Sequence, residues 1–97
     1  MLLLARFKII GHSMEPQIED GQSVLVSSIS YLFKTPKIND IVAFKDIRNT
    51  QVLIKRITKI KNGKYFVLGD NKRDSLDSRK LGFISKDKII GEVILNL

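Results

Sequence analysis

Two residues of this sequence, Ser13 and Lys55, have the types and surroundings that a nucleophile and its base require. A serine hydroxyl becomes a competent nucleophile when an adjacent base removes its proton, and a neutral lysine amine can be that base. Lys55 stands within an apolar run, where alternation puts it on one strand face with Leu53 and Ile57. If that face is the core, burial lowers the lysine pKa from ~10.4 toward ~7–8, at a cost of roughly 4 kcal/mol. Structure alone rarely justifies that cost, so Lys55, if it is buried, is a candidate general base for a serine such as Ser13.

Each of the two residues also has an ordinary structural interpretation. Ser13 precedes Glu15 and Pro16, a composition that is typical of a helix start or a simple turn. Lys55 is alternatively a solvated strand lysine whose stem lies along the sheet. Neither residue taken alone decides between catalysis and structure.

Three motifs occur in a fixed order and favour the catalytic interpretation of both residues over the structural one. Residues 13–16 read Ser-Met-Glu-Pro, and Lys55-Arg56 closes an apolar strand. The third motif is long and polar, and consists of Gly69, Asp70, Asn71, Ser75, Asp77, Ser78, Arg79 and Gly82. In this combination the chain resembles the type I signal peptidases of peptidase family S26, serine endopeptidases that use a Ser–Lys dyad. The resemblance covers residues 8 to 95, almost the whole chain.

The resemblance implies a role for each matching residue. Ser13 is expected to be the nucleophile, with its backbone N–H donating to the oxyanion, and Lys55 the general base. Ser75 is expected to orient the Lys55 amine by a hydrogen bond. The expected supporting residues, with Arg56 paired to Asp70 and Arg79 paired to Asp77, are Arg56, Asp70, Asn71, Asp77 and Arg79. Met14 and Pro16 are expected on the substrate side.

The chain departs from the family pattern beside the nucleophile. Gly11 stands two residues before Ser13, where bacterial relatives often have a Ser or Thr that donates to the oxyanion. The resemblance therefore implies an oxyanion hole made of backbone groups alone. We interpret His12 as a surface or substrate-side residue, with tuning of the pH response as the alternative.

The elements around these motifs show dense strand signals and scarce helical periodicity. Strands are predicted at residues 24–26, 40–44, 52–57, 64–68 and 89–95, with a strand lead-in over the first ten residues. Asn62-Gly63 predicts a tight hairpin, and short helical pieces are expected at residues 13–16 and 85–88. The pattern predicts a mostly β fold: a single small domain over residues 1–97, built as a coiled antiparallel sheet or partly open barrel.

Composition limits the kinds of site that the chain can hold. Its 97 residues are 43% hydrophobic and 28% charged, a globular balance. The absence of Cys excludes disulfide scaffolds, thiolate zinc sites and cysteine nucleophiles, and a single His excludes an all-imidazole metal site. We therefore expect no metal and no cofactor. The formal charge of +7 suits an anionic partner or a membrane surface.

The apolar start, residues 1–5, is interrupted by Arg6 and Lys8, so it is too short for a membrane span or a signal-peptide core. We therefore expect an anchorless enzyme. In size and architecture it resembles the soluble maturation proteases of nickel-type superoxide dismutase. That resemblance implies a cytoplasmic serine endopeptidase that removes a short N-terminal leader or pro-segment after small residues.

Two alternatives differ in partner and in class. One is a compact type I signal peptidase that acts on exported precursors and reaches the bilayer through an exposed apolar β surface and its positive charge. The other is a basic β-barrel that binds single-stranded nucleic acid. Nucleic-acid binding is disfavoured because the basic residues are scattered and three of the seven aromatic residues are expected in the core, Phe7, Phe44 and Phe66.

Overall fold

The strands form in apolar or alternating segments of the sequence, and they join into one curled antiparallel sheet. A computed structural model describes residues 4–46, 48, 51–71 and 77–97. The strands within these residues are β1 (Leu4–Lys8), β2 (Ser23–Ser27), β3 (Ile41–Lys45), β4 (Val52–Lys61), β5 (Lys64–Leu68), β6 (Ile84–Ser85) and β7 (Ile89–Asn96). The helical elements are α1 (Ser30–Phe33), α2 (Ser78–Leu81) and a 3-10 turn (Lys86–Lys88). The strand order β1-β2-β7-β3-β4-β5-β6, with every pair antiparallel, confirms the predicted mostly β fold.

The predicted hairpin at Asn62-Gly63 joins β4 to β5. Both residues have positive φ, 52° and 73°, as a type I′ turn requires. Lys61 and Lys64 pair directly across the turn. β4 therefore extends beyond Ile57, its predicted end, because its last residues pair with β5.

The helical predictions have mixed outcomes. The helical piece predicted at residues 13–16 is wrong, because this segment is a turn whose Glu15 carboxylate accepts hydrogen bonds from His12 and from the Asp20 N–H. The piece predicted at residues 85–88 is confirmed as the 3-10 turn. α1 and α2 were not predicted, since an element of four residues is too short to show a helical period.

Two apolar clusters fill the inside of the curled sheet. The first consists of Ile9, Met14, Ile18, Val24, Val26, Ala43 and Ile54. The second consists of Val42, Phe44, Ile57, Tyr65, Val67 and Ile84. The first cluster packs beneath the segment that carries Ser13, so the core directly supports the candidate nucleophile.

The aromatic residues expected in the core do not all lie there. Phe44 is fully buried and Phe7 packs, partly buried, against the first cluster. The core position predicted for Phe66 is wrong, because β5 turns Tyr65 and Val67 inward and leaves Phe66 half-buried on the opposite face.

β2 and β7 approach closely at Gly91. A Cβ atom at this position would lie 2.4 Å from the carbonyl oxygen of Ser27 and 2.7 Å from its carbonyl carbon. Only a glycine fits against the β2 backbone at this distance, so the join between the two strands depends on Gly91.

Asp46, just after β3, gives the fold an acid-sensitive contact. Its buried carboxylate accepts hydrogen bonds from the Arg48 backbone N–H, Nε and Nη2, which hold the pKa of Asp46 below its usual value of 3.8. A carboxylate with a lowered folded-state pKa stabilises the fold above the unfolded-state pKa, and this stability is lost as the pH falls through the lowered value. We expect the Tm of Asp46→Asn to fall less than that of the wild type between about pH 4 and about pH 2. Parallel curves in a thermal melt would contradict this expectation.

Candidate active site

Ser13 lies in the loop between β1 and β2, and the loop is closed by its own backbone. Ile9 N donates to Gln22 O and Gly21 N donates to Ile9 O, both at 2.8 Å. Gly11 has a φ of +106°, a conformation that side-chain-bearing residues rarely adopt, and its N–H donates to Asp20 Oδ1 at 2.7 Å. The backbone itself thus explains why glycine stands two residues before Ser13.

His12 is engaged beside the nucleophile by an acidic neighbour. His12 Nδ1 lies 2.8 Å from Glu15 Oε2, and this hydrogen bond is the main cause that lowers the pKa of Glu15. The His12 side chain is exposed. Its ring is therefore held by the loop, in agreement with its interpretation as a surface residue.

Lys55 lies in β4, which three strands separate from β1 in the sheet order, and the curl of the sheet brings it to the nucleophile. Its Cα pairs with Val42 of β3, and only 4% of the residue is exposed. Lys55 Nζ lies 2.8 Å from Ser13 Oγ, within hydrogen-bond distance, although the residues are 42 positions apart. Burial disfavours the ammonium form, so this arrangement can support proton transfer from the serine hydroxyl to the amine.

The start of the polar motif ties β4 to the nucleophile loop. Arg56 donates through Nε and Nη2 to the two carboxylate oxygens of Asp70, both at 2.9 Å, and this contact raises the pKa of Arg56. Asn71 N donates to Ser13 O at 2.8 Å, and Asn71 Nδ2 donates to His12 O at 3.0 Å. Because Arg56 follows Lys55 and Asn71 follows Asp70, these contacts connect the candidate base and nucleophile through a short bridge.

The end of the polar motif supports β5. Asp77 is fully buried, caps the N-terminus of α2, and accepts from Gly69 N at 3.0 Å and from Arg79 Nη2 at 2.9 Å. The Ser78 hydroxyl accepts from Val67 N at 2.8 Å. Ser75, the residue expected to orient Lys55, lies outside the described residues.

A groove of about 220 Å³ runs past Ser13 and Lys55. It is lined by Phe7, Lys8, Ile9, Ile10, Ser13, Met14, Gln51, Val52, Leu53, Ile54 and Lys55. Met14 lines it as a core residue with 1% exposure, whereas Pro16 is exposed and lies outside the lining. The apolar lining residues could not be predicted from the sequence, because an apolar groove wall and an apolar core show the same residue pattern.

The backbone around the groove has free hydrogen-bonding groups. Within the described chain, β1 pairs with β2 alone, and residues 52–54 of β4 pair with β3 alone. The Ser13 N–H has no acceptor among the described residues. The groove can therefore accept an extended peptide between two unpaired strand edges, with a free donor beside the serine hydroxyl.

The sequence belongs to the signal peptidase family, peptidase S26, whose profile matches residues 1–60 and 58–97. The resemblance proposed from the three motifs is thereby confirmed. The chain is a serine endopeptidase of this family, for which the Ser–Lys dyad is characteristic.

The individual relatives are named as signal peptidases or as a processing peptidase. Signal peptidase I V of Bacillus subtilis is 28% identical over 138 residues, covering 90% of this chain and 82% of that protein. Probable signal peptidase I-1 of Synechocystis is 25% identical, covering 84% of this chain and 65% of its own length. The chloroplastic thylakoidal processing peptidase 1 of Arabidopsis thaliana is also 25% identical, and the match covers 84% of this chain but 38% of the plant protein. The chain thus spans less than two thirds of the latter two relatives.

Replacing Asn71 by alanine tests the bridge to the nucleophile loop. The variant loses the Asn71 Nδ2 contact to His12 O, so Ser13 is held less firmly and kcat should fall about ten- to a hundredfold with little change in KM. Asn96→Ala is the matched control, because it removes an amide contact to Gln17 O in the same loop, away from Ser13. Equal kcat values for the two variants would contradict the positioning role.

Proposed function

We propose that this chain cleaves a short N-terminal leader or pro-segment from protein substrates, with Ser13 as nucleophile and Lys55 as general base. The observation that carries the proposal is the 2.8 Å contact between Ser13 Oγ and Nζ of Lys55, a residue that is only 4% exposed. A lysine amine held at a serine hydroxyl inside the fold has the geometry that a general base requires, and burial favours the neutral amine that general-base catalysis needs. We also propose that residues 1–97 form one catalytic domain.

The proposed reaction proceeds by acyl transfer. Neutral Lys55 takes the Ser13 hydroxyl proton as Oγ attacks the scissile carbonyl carbon, and the Ser13 N–H donates to the resulting oxyanion. Lys55 then gives its proton to the leaving amine, which departs and leaves an ester on Ser13. Water hydrolyses this ester with Lys55 again acting as base. By resemblance, Ser75 would orient the amine throughout.

Substrate recognition would use the two free strand edges of the groove. An extended segment lying between β1 and residues 52–54 would gain backbone hydrogen bonds on both sides. The half-buried and buried apolar side chains along the groove are consistent with small residues before the cut, as the family resemblance implies. Recognition of this kind depends on hydrogen bonds to the substrate backbone more than on contacts with charged side chains.

The identity of the substrate has two candidates. The resemblance to soluble maturation proteases makes nickel-type superoxide dismutase, in the cytoplasm, the first candidate. Action on exported precursors is supported by the relatives, which are named as signal peptidases and a thylakoidal processing peptidase. No helix in the described ranges is long and apolar enough to cross a membrane.

N-terminal profiling of soluble and membrane extracts tests the function and separates the candidates. Extract from the source cells would be treated with the wild type or with Ser13→Ala, and new N-termini identified by mass spectrometry. New termini in one soluble protein's leader would support maturation, and cuts after small residues in many exported precursors would support the signal peptidase. The absence of any Ser13-dependent cut would contradict the proposal.

A further inference from the structure

A second cavity, of about 160 Å³, lies at the end of the sheet where the 3-10 turn leads from β6 into β7. We call it the lysine cavity, and its lining residues are Lys45, Asp46, Lys64, Leu81, Phe83, Ile84, Ser85 and Lys88. It shares no lining residue with the groove at Ser13. Any ligand held there would therefore occupy a place separate from the candidate active site.

Three lysines converge on the lysine cavity from separate elements. Lys45 ends β3, Lys64 begins β5, and Lys88 ends the 3-10 turn. Among the described residues, none of these three ammonium groups forms an ion pair with a carboxylate. Like charges repel one another, so the arrangement favours an anion between them.

The acidic residues near the lysine cavity do not neutralise the positive charge of the three lysines. Asp46 lines it, but its buried carboxylate is fully engaged by Arg48. Asp87 accepts a hydrogen bond from the Ser85 hydroxyl and lies next to Lys88 in the chain, so it offsets one of the three charges. The cavity remains cationic.

The remaining lining is apolar. Ile84 is buried, Leu81 is half-buried, and Phe83 is 40% exposed with its ring centroid 5.1 Å from that of Phe66. A cationic rim over an apolar wall suits a ligand with a compact anionic group attached to carbon. A phosphate ester has this chemistry, and lysine binds phosphate as a point charge.

We propose that the lysine cavity binds the phosphate group of an organic phosphate ester, supplied as a free ester or as a lipid headgroup. The proposal goes beyond the peptidase activity and does not depend on Ser13 or Lys55. Binding of a lipid headgroup would hold the protein at an anionic membrane surface, whereas binding of a free ester would make the cavity a small-molecule site.

Backbone NMR of the full chain locates the site. The protein would be titrated at low salt with glycerol 1-phosphate. In a separate experiment, its cosedimentation would be measured with phosphatidylcholine vesicles that contain or lack phosphatidylglycerol. The site variant is Lys45→Gln/Lys88→Gln. The control is Lys37→Gln/Lys80→Gln, which removes the same charge from exposed lysines outside the cavity lining.

The site variant should weaken binding of the phosphate probe at least tenfold, which is about the loss expected when two lysines at an anionic surface are neutralised. The control should weaken this binding less than threefold. Shifts confined to the cavity amides with glycerol 1-phosphate would support the free ester as the source. Binding to phosphatidylglycerol vesicles alone, lost in the site variant, would support the lipid. Equal weakening in both variants, shifts spread over the whole basic surface, or no binding of either probe would overturn the proposal.

Discussion

Replacing Lys55 by methionine is expected to lower substrate cleavage about a thousandfold or more while the protein stays folded. Methionine has a similar length but no amine, so the proton on Ser13 Oγ loses the acceptor that lies 2.8 Å away. The variant also removes a buried amine from the interior of β4. The Ser13 hydroxyl is half-buried at the groove and can bond to water instead, so Tm should be little changed.

A lysine farther along the same strand supplies the control. Lys61→Met makes the same chemical change at an exposed position in the last residue of β4. Its cleavage rate should lie within about threefold of the wild type, as expected away from the reacting groups. A Lys55→Met protein that cleaves nearly as fast as Lys61→Met would contradict the general-base role, whatever its stability.

Gly91→Ala is expected to reduce the free energy of unfolding by about 3 kcal/mol, at the upper end of overpacking costs. The added Cβ would meet the carbonyl of Ser27 at 2.4 Å, and a backbone atom in a paired strand cannot move aside as a side chain can. β2 and β7 would have to separate, which would disturb the first core cluster beneath the nucleophile loop.

The control for this substitution is a glycine with open space around it. Gly63 has a φ of +73° and nothing within 4 Å of an added Cβ, so Gly63→Ala carries only the backbone strain, about 1 kcal/mol. Urea unfolding of both variants measures the difference. If Gly91→Ala costs no more than Gly63→Ala, the close approach of β2 and β7 does not constrain the fold.

The strands were predictable because alternation records which side chains face the core. It placed Lys55 on the face of Leu53 and Ile57, and the structure buries it. Alternation could not show that Ser13 lies beside Lys55, since a contact across 42 positions depends on how the sheet curls. Only the resemblance to a family predicted that pair.

The wrong predictions also have physical causes. Residues 13–16 have a helix-start composition, but His12 and Asp20 engage the Glu15 carboxylate in a closed loop instead. The basic residues look scattered along the sequence, yet the fold brings Lys45, Lys64 and Lys88 to one cavity. Such a cluster cannot be predicted from residues far apart in the sequence, because it forms only when the three elements that carry the lysines pack together.

The central claim is that Ser13 and Lys55 act as one catalytic unit, and a double-mutant cycle tests it most directly. Cleavage of a peptide defined by the profiling experiment would be measured for the wild type, Ser13→Ala, Lys55→Met and the double variant. Residues that act together lose their contribution once, so the three variants should share one residual rate. A Ser13→Ala protein within about tenfold of the wild-type rate, or a double variant slower by the product of the two single effects, would contradict the dyad.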